Sequence, residues 1–242
     1  MNNLTDRRFW EEYWANYQYE KIPPQTFFDK YLDKNVLCKD NPTFIEIGGF
    51  PGTMSIYFHK KYSCNVSLLD FFIDESIVHK LEEKNNLQKN TISCIEHDFF
   101  TFTSNKLYDI VFSLGFIEHF NNTEDVIRRH VNLLDSGGYL LIILPNFLGL
   151  NGIIQKKFDP ENFAAHNLKS MDITYLKKIM NGFNLQDTKV EYTIKPIVWL
   201  EPKPTTSRFV KLFVKSLSYF IKLFPIRSRF LSPYIIISAK KE

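Results

Sequence analysis

Apolar and polar residues alternate in blocks along most of this chain. Short apolar runs over 43–48, 65–70, 91–96, 108–114, 138–145, 185–194 and 234–239 read as strands, and several are unbroken, as in Ile110-Val111-Phe112 and Tyr139-Leu140-Leu141-Ile142-Ile143-Leu144. Unbroken runs fit a sheet buried on both faces. Between them, helical spacing predicts helices over 52–62, 75–86, 123–134, 172–182 and 207–224. Strands alternating with helices predict an α/β fold around a doubly wound, mostly parallel sheet. Ser136-Gly137-Gly138 reads as a helix stop and a turn into a strand. Before the first strand, Thr5 to Tyr19 carries Phe9, Trp10, Tyr13, Trp14, Tyr17 and Tyr19, with 10, 13, 14 and 17 on one helical face. Such a helix packs its aromatics on the core, covers a ligand crevice as a flap, or does both. Pro23-Pro24 breaks the chain, and Gln25 to Leu32 predicts a second short helix. No repeat or low-complexity segment divides the 242 residues, so 1–242 reads as one domain.

Composition adds bounds. At 44% hydrophobic residues a substantial core is expected. A net charge of +3 gives no argument for nucleic acid, but it is unevenly placed: 201–242 holds nine Lys and Arg against Glu201 and Glu242, a net +7 that leaves −4 for the first 200 residues. Cys38, Cys64 and Cys94 are odd in number and lack metal-ligand spacing, which predicts free, reduced thiols in a cytoplasmic protein. The polar start, Met1 to Arg8, has no signal-peptide core, and no run of eighteen apolar residues predicts a spanning helix.

The candidate chemistry sits at the strand ends. The first strand stops at Gly48-Gly49-Phe50-Pro51-Gly52, and the second ends on Asp70, about twenty residues on. A glycine turn lets backbone approach a ligand, and an acid at that distance can accept from both hydroxyls of a ribose. Phe50 stands where a dinucleotide fold needs a small residue facing pyrophosphate, which favours a ligand without one. The third strand runs into Glu96-His97-Asp98-Phe99, an acid for an exocyclic amine such as adenine's, beside rings that can pack on a base. The fourth ends at Ser113-Leu114-Gly115, before Phe116-Ile117-Glu118-His119-Phe120.

Together these residues resemble motifs I to IV of the class I S-adenosylmethionine-dependent methyltransferases, in order and spacing over roughly 43–145. Asp135 to Tyr139 resembles that family's turn into strand five, and Tyr234 to Ala239 its antiparallel seventh strand. The resemblance implies a Rossmann-like seven-stranded methyltransferase fold and S-adenosyl-L-methionine as cofactor. It implies that Glu46, Gly48, Gly49, Phe50 and Gly52 hold the methionine part, Asp70 with Phe71 the ribose, Asp98 with Phe99 the adenine, and that Ser113 and Leu114 line the sulfonium end. Phe50 departs from the small residue usual in the family.

Methyl transfer asks the protein chiefly to align nucleophile, methyl and sulfur, and a hydroxyl acceptor also benefits from a general base. Two histidines compete for that role: His119, and His166 in the stretch Asn146 to Ser170, whose glycines and polar residues read as an acceptor-side loop over 146–171. His166 is preferred. Glu118-His119 could instead bind a metal, as one pair does in some quinone-pathway relatives, but no third ligand is evident and no metal is assigned.

Arg208 to Phe224 is strongly amphipathic, with Lys211, Lys215, Ser218 and Lys222 in one stripe, set off by Pro202, Pro204 and Pro225 as a basic insertion over 201–230. It docks on its own sheet, on a second subunit as a homodimer, or on an anionic membrane surface. The expected activity is methyl transfer to an oxygen of a small molecule or saccharide, in surface-polysaccharide or related glycan chemistry. The alternatives are a quinone or lipid methyltransferase reaching the membrane through the basic helix, a non-catalytic scaffold with a decayed site, and a nicotinamide oxidoreductase, which Phe50 and Asp98 oppose. Nucleic acid is not expected: the fourth motif lacks the Asn/Asp-Pro-Pro-aromatic signature of amino-group methylators, and no RNA-binding module is present.

Overall fold

The computed structural model describes residues 14, 17–32, 39–193, 196–200, 206–224 and 226–242. Phe9, Trp10, Tyr13, Cys38, Pro202, Pro204 and Pro225 lie outside these residues. Strands β1 (Thr43–Ile47), β2 (Asn65–Asp70), β3 (Ser93–Glu96), β4 (Tyr108–Leu114), β5 (Leu134–Pro145), β6 (Leu185–Tyr192) and β7 (Tyr234–Lys241) form one seven-stranded sheet in the order β3-β2-β1-β4-β5-β7-β6. The first five pair in parallel, with Ile45 opposite both Ser67 and Val111. β7 lies between β5 and β6 and is antiparallel to both, as expected of the last strand. The order reverses between β1 and β4, which opens a crevice at the carboxyl ends of the strands, where such sheets bind ligands.

Each face of the sheet has its own core, and alternate side chains of one strand serve both. On one face lie Ile45, Ile47, Val111, Leu140 and Ile142. On the other lie Phe44, Ile110, Phe112, Leu141 and Ile143, under an aromatic layer from Phe28, Tyr57 and Phe58. This two-sided burial is why the strands read as unbroken apolar runs.

The helices α2 (Thr53–Tyr62), α3 (Glu75–Lys84), α4 (Thr123–Asn132), α7 (Ile173–Met180) and α8 (Arg208–Ile221) stand where the spacing predicts them, and α1 (Asp29–Leu32) is shorter than expected. Capping fixes several starts: Asp74 accepts from the Ser76 amide, Asn122 from Asp125, and Asp172 from Thr174 and Tyr175. The segment 146–171 differs from the loop expected of it. It folds into α5 (Leu150–Phe158), α6 (Pro160–Ala164) and a 3-10 turn at Leu168–Met171. Its loop-like residues do other work. Asn146 Nδ2 donates to the Arg229 and Ser232 carbonyls at 2.8 Å each, a Cβ on Gly152 would meet the Phe147 carbonyl at 1.8 Å, and Asp159 caps α6. Cys64 and Cys94 are free thiols, and burial pushes them up to about 12 and about 11, leaving them inert.

Asp109 joins the starts of β1 and β4: its Oδ2 accepts from the Thr43 amide at 2.8 Å and the Thr43 hydroxyl at 2.9 Å, and Lys39 pairs with Oδ1. Partial burial raises its pKa, but these bonds outweigh it and the net shift is downward. A depressed carboxyl stabilises the fold above the ordinary Asp range and loses that contribution as pH falls through the folded value. Asp109→Ala is expected to cost about 1–3 kcal/mol at pH 7 by urea unfolding, with the gap closing in acid.

Candidate active site

The turn after β1 is shaped by two close approaches. Gly48 has φ +65°, and a Cβ there would sit 2.0 Å from the Phe116 ring. A Cβ on Gly49 would sit 2.0 Å from Glu46 Oε1, so only glycine leaves room for the Glu46 side chain beneath the turn. Glu46 Oε2 accepts from the Ser55 amide at 2.7 Å and its hydroxyl at 2.6 Å. It thereby caps α2, whose own N-cap residue, Gly52, has no side chain to do so. Burial pushes Glu46 up to about 7. At the end of β2, Asp70 accepts from the Phe50 amide at 3.0 Å and the Phe72 amide at 3.3 Å, tying the turn to the neighbouring strand. Burial lifts it to about 6. The Phe50 ring is buried edge-on against Trp14 at 5.4 Å and Phe72 at 5.5 Å, and Phe50 is among the residues that line the cleft above the turn.

A cleft with two connected ends opens above the turn. Gly48, Asp70, Phe71, Asp98, Phe99 and Phe116 line one end. Asp98 Oδ1 accepts from the Phe100 amide at 2.8 Å, which sets its carboxylate at the rim, and the Phe99 ring stands edge-on to Phe116 at 5.3 Å. The residues there suit an adenosyl group: an acid at the end of β2 for a diol, a second acid for an amine, and rings to sandwich a base. Glu46, Gly49, Leu114, His119, His166 and Trp199 are among those lining the other end. Two expected contacts are absent. Ser113 is fully buried, with its hydroxyl 3.1 Å from His130 Nε2 of α4, so it joins sheet to helix and does not line the sulfonium end. Strand alternation turns Ser113 away where Leu114 faces the cleft. Gly52 is also below the surface, at φ +95° against Ile92, and shapes the turn from beneath.

Tertiary folding brings the two candidate histidines together, with ring centroids 4.8 Å apart. Asn167 makes this join: its amide donates to the Glu118 carbonyl at 2.7 Å and its Nδ2 to the Phe120 carbonyl at 2.9 Å. His119 Nδ1 lies 3.1 Å from the Ala165 carbonyl and His166 Nδ1 2.6 Å from the Asn162 carbonyl. A carbonyl can only accept, so each Nδ1 carries the proton. Burial, then the neighbouring His166, lower His119 to about 3; burial lowers His166 too, against the Asn162 carbonyl and Asp159. Both are neutral near pH 7.

Glu118 is fully buried, neither carboxyl oxygen has a hydrogen-bond partner among the described residues, and burial pushes it up to about 8. Glu118, His119 and His166 each offer a ligand atom, all within 4.8 Å of one another, which supplies the third potential metal ligand that local spacing lacks. Sequence reasoning does not place Trp199 in the site. Its indole N–H is buried without a partner among the described residues, and the residue is held by a bond from its amide to Asn151 Oδ1 at 3.2 Å and one from Gln155 Nε2 to its carbonyl at 2.9 Å.

Among solved structures, the chain is similar to a SAM-dependent methyltransferase from Archaeoglobus fulgidus, with 16% identity over 98% of this chain and 100% of that one at a TM-score of 0.57. It is similar to geranyl diphosphate C-methyltransferase from Streptomyces coelicolor A3(2), solved with Mg2+, geranyl diphosphate and S-adenosyl-L-homocysteine, with 12% identity over 88% of this chain and 78% of that one at 0.58. A third is phosphoethanolamine N-methyltransferase 2 from Haemonchus contortus with S-adenosyl-L-methionine, with 15% identity over 96% of this chain but 55% of that one, at 0.59. No curated protein matches the chain. The family model described as a methyltransferase domain matches residues 13–190, and the chain belongs to that family as an S-adenosylmethionine-dependent methyltransferase.

Proposed function

We propose that this protein methylates an oxygen of a small hydroxylated molecule, with a saccharide of a surface-polysaccharide or related glycan pathway as the acceptor class. The observation that carries the reading is the pair of neutral imidazoles, His119 and His166: His119 lines both ends of the cleft, including the one with Asp70 and Asp98, and His166 lines the other. Similar structures named for small acceptors, geranyl diphosphate and coclaurine among them, support the size class. Aromatic walls carrying an unused indole donor suit a ligand with both apolar faces and hydroxyls.

S-adenosylmethionine supplies a methyl already activated on a cationic sulfur. On this reading residues 43–145 hold it, with Asp70 and Phe71 at the ribose, Asp98 and Phe99 at the adenine, and the 48–52 turn and Leu114 at the methionine end. The helical segment 146–171 shapes the acceptor side, and Trp14, within the 1–40 segment, closes the cleft from above. His166 takes the acceptor proton on Nε2, since its Nδ1 proton is committed to Asn162. His119 is too depressed to be a good proton acceptor near neutrality, and it orients the acceptor.

Isothermal titration is expected to show S-adenosylmethionine and S-adenosylhomocysteine binding, no NAD binding, and a loss of at least about tenfold on Asp70→Ala. Failure of a folded protein to bind either adenosyl ligand overturns the reading. His166→Ala is expected to lower kcat by about 10²–10⁴-fold, scored by S-adenosylhomocysteine release on an acceptor drawn from a hydroxylated panel, with cofactor affinity unchanged. Because burial depresses His166, the acid limb of the wild-type rate should have its midpoint below the ordinary imidazole value of about 6.5. Dialysis against EDTA should leave the rate intact; loss with recovery on added Zn2+ would make the imidazoles metal ligands instead of bases.

Glu118 gives a stability test. Its folded value, near 8, lies above the unfolded carboxyl value, so folding binds a proton and stability declines as pH rises between the two. Glu118→Gln should therefore melt higher than wild type at pH 8, by more than about 1 kcal/mol, with the advantage vanishing near pH 4.5.

A further inference from the structure

α8 has more apolar surface than its docking uses. Val214, Ser218 and Ile221 face inward, packing with Ile154 and Val198, and the Val198 amide donates to Ser218 Oγ at 3.3 Å. At 100° per residue the opposite arc carries Phe209, Leu212, Phe213, Tyr219, Phe220 and Leu223. All six are exposed, from 50% for Phe213 to 85% for Phe209. Phe224, Ile226 and Phe230 extend the patch beyond the helix and are exposed as well. Single exposed apolar residues are ordinary, but a contiguous aromatic face is not.

The charge around this face points to what covers it. Arg208, Lys211, Lys215 and Lys222 share one flank of the helix and form no ion pair with an acid among the described residues. No acid occurs between Glu201 and Glu242. A second copy seated on this face would bring one strongly cationic segment against another. An anionic bilayer takes both features, the aromatic side chains below the headgroups and the lysines among them. No helix among the described residues is long and apolar enough to cross a membrane, so the contact would lie in the interface plane.

We infer that α8, with the turn that follows it, is a docking surface for an anionic phospholipid bilayer. Its inner face is bonded to the 196–200 segment that carries Trp199 of the cleft, so docking sets the cleft wall roughly one helix diameter, about 10 Å, from the lipid. That orientation suits an acceptor carried on a lipid; this last point rests on the acceptor reading above, whereas the docking does not.

The test is sedimentation of the full chain with sucrose-loaded vesicles of phosphatidylcholine alone and with 30% phosphatidylglycerol, taken as about a third anionic lipid. Binding is expected only to the anionic vesicles and should weaken in high salt. Lys211→Glu with Lys215→Glu should lower the partition coefficient by at least about tenfold. Phe209→Ser with Leu223→Ser should do the same, with the melting temperature unchanged because neither side chain touches the core. Wild type left in the supernatant with anionic vesicles overturns the proposal. So does a dimer by light scattering that the serine pair dissolves, which would make a second copy the occupant. Cofactor titration on the same samples separates failure here from failure of the methyltransferase site.

Discussion

The site depends on one buried contact, the Glu46 carboxylate on the first turn of α2. Burying a carboxyl this deep is costly, and the Ser55 amide and hydroxyl offset that cost with two hydrogen bonds. To reach them the side chain must pass under the turn, which requires that residue 49 lack a Cβ. The turn then presents the Phe50 amide to Asp70, and that bond joins β1 to the end of β2. A helix start, a glycine requirement and the placing of an acid at the cleft thus follow from one packing constraint. Glu46 and Asp70, the two acids nearest the turn, both hold it by hydrogen bonds.

The other end of the cleft is built differently. No single element makes it: His119 comes from the turn after β4, His166 from the end of α6, and Trp199 from the segment before α8. Asn167 and Asn151 fasten these pieces through backbone carbonyls and amides. Backbone partners place side chains without asking anything of the neighbouring sequence. Within this shell Glu118 and the Trp199 indole have no hydrogen-bond partner among the described residues, at a cost to stability.

Stability and function meet again at α8. A helix needs only one apolar stripe to dock, and Val214 and Ile221 supply it. The second, aromatic face is largely exposed, with Phe213 alone among its rings meeting another element of the described residues, at Phe158, and it is this face that the proposed docking would use.

Much of this protein was legible in its residues alone. Two-sided apolar runs disclosed a parallel sheet because every central strand is buried on both faces, and capping side chains marked helix starts because they act within a few residues. Gly48, Gly49, Asp70 and Asp98 could be read because strand ends converge at the same crevice wherever the sheet order reverses. The helices in 146–171 could not be read: their glycines and asparagines resemble loop residues, and only their distant partners, Arg229 and Ser232 among them, show them as packing and capping groups. The partner of Ser113, His130, lies across the sheet–helix interface, where no local pattern records it. The meeting of His119 with His166, the burial of Glu118 beside them and the division of α8 into an inner and an outer apolar face belong to tertiary structure alone. Local patterns record what a residue prefers, whereas these features depend on which distant residue arrives to meet it.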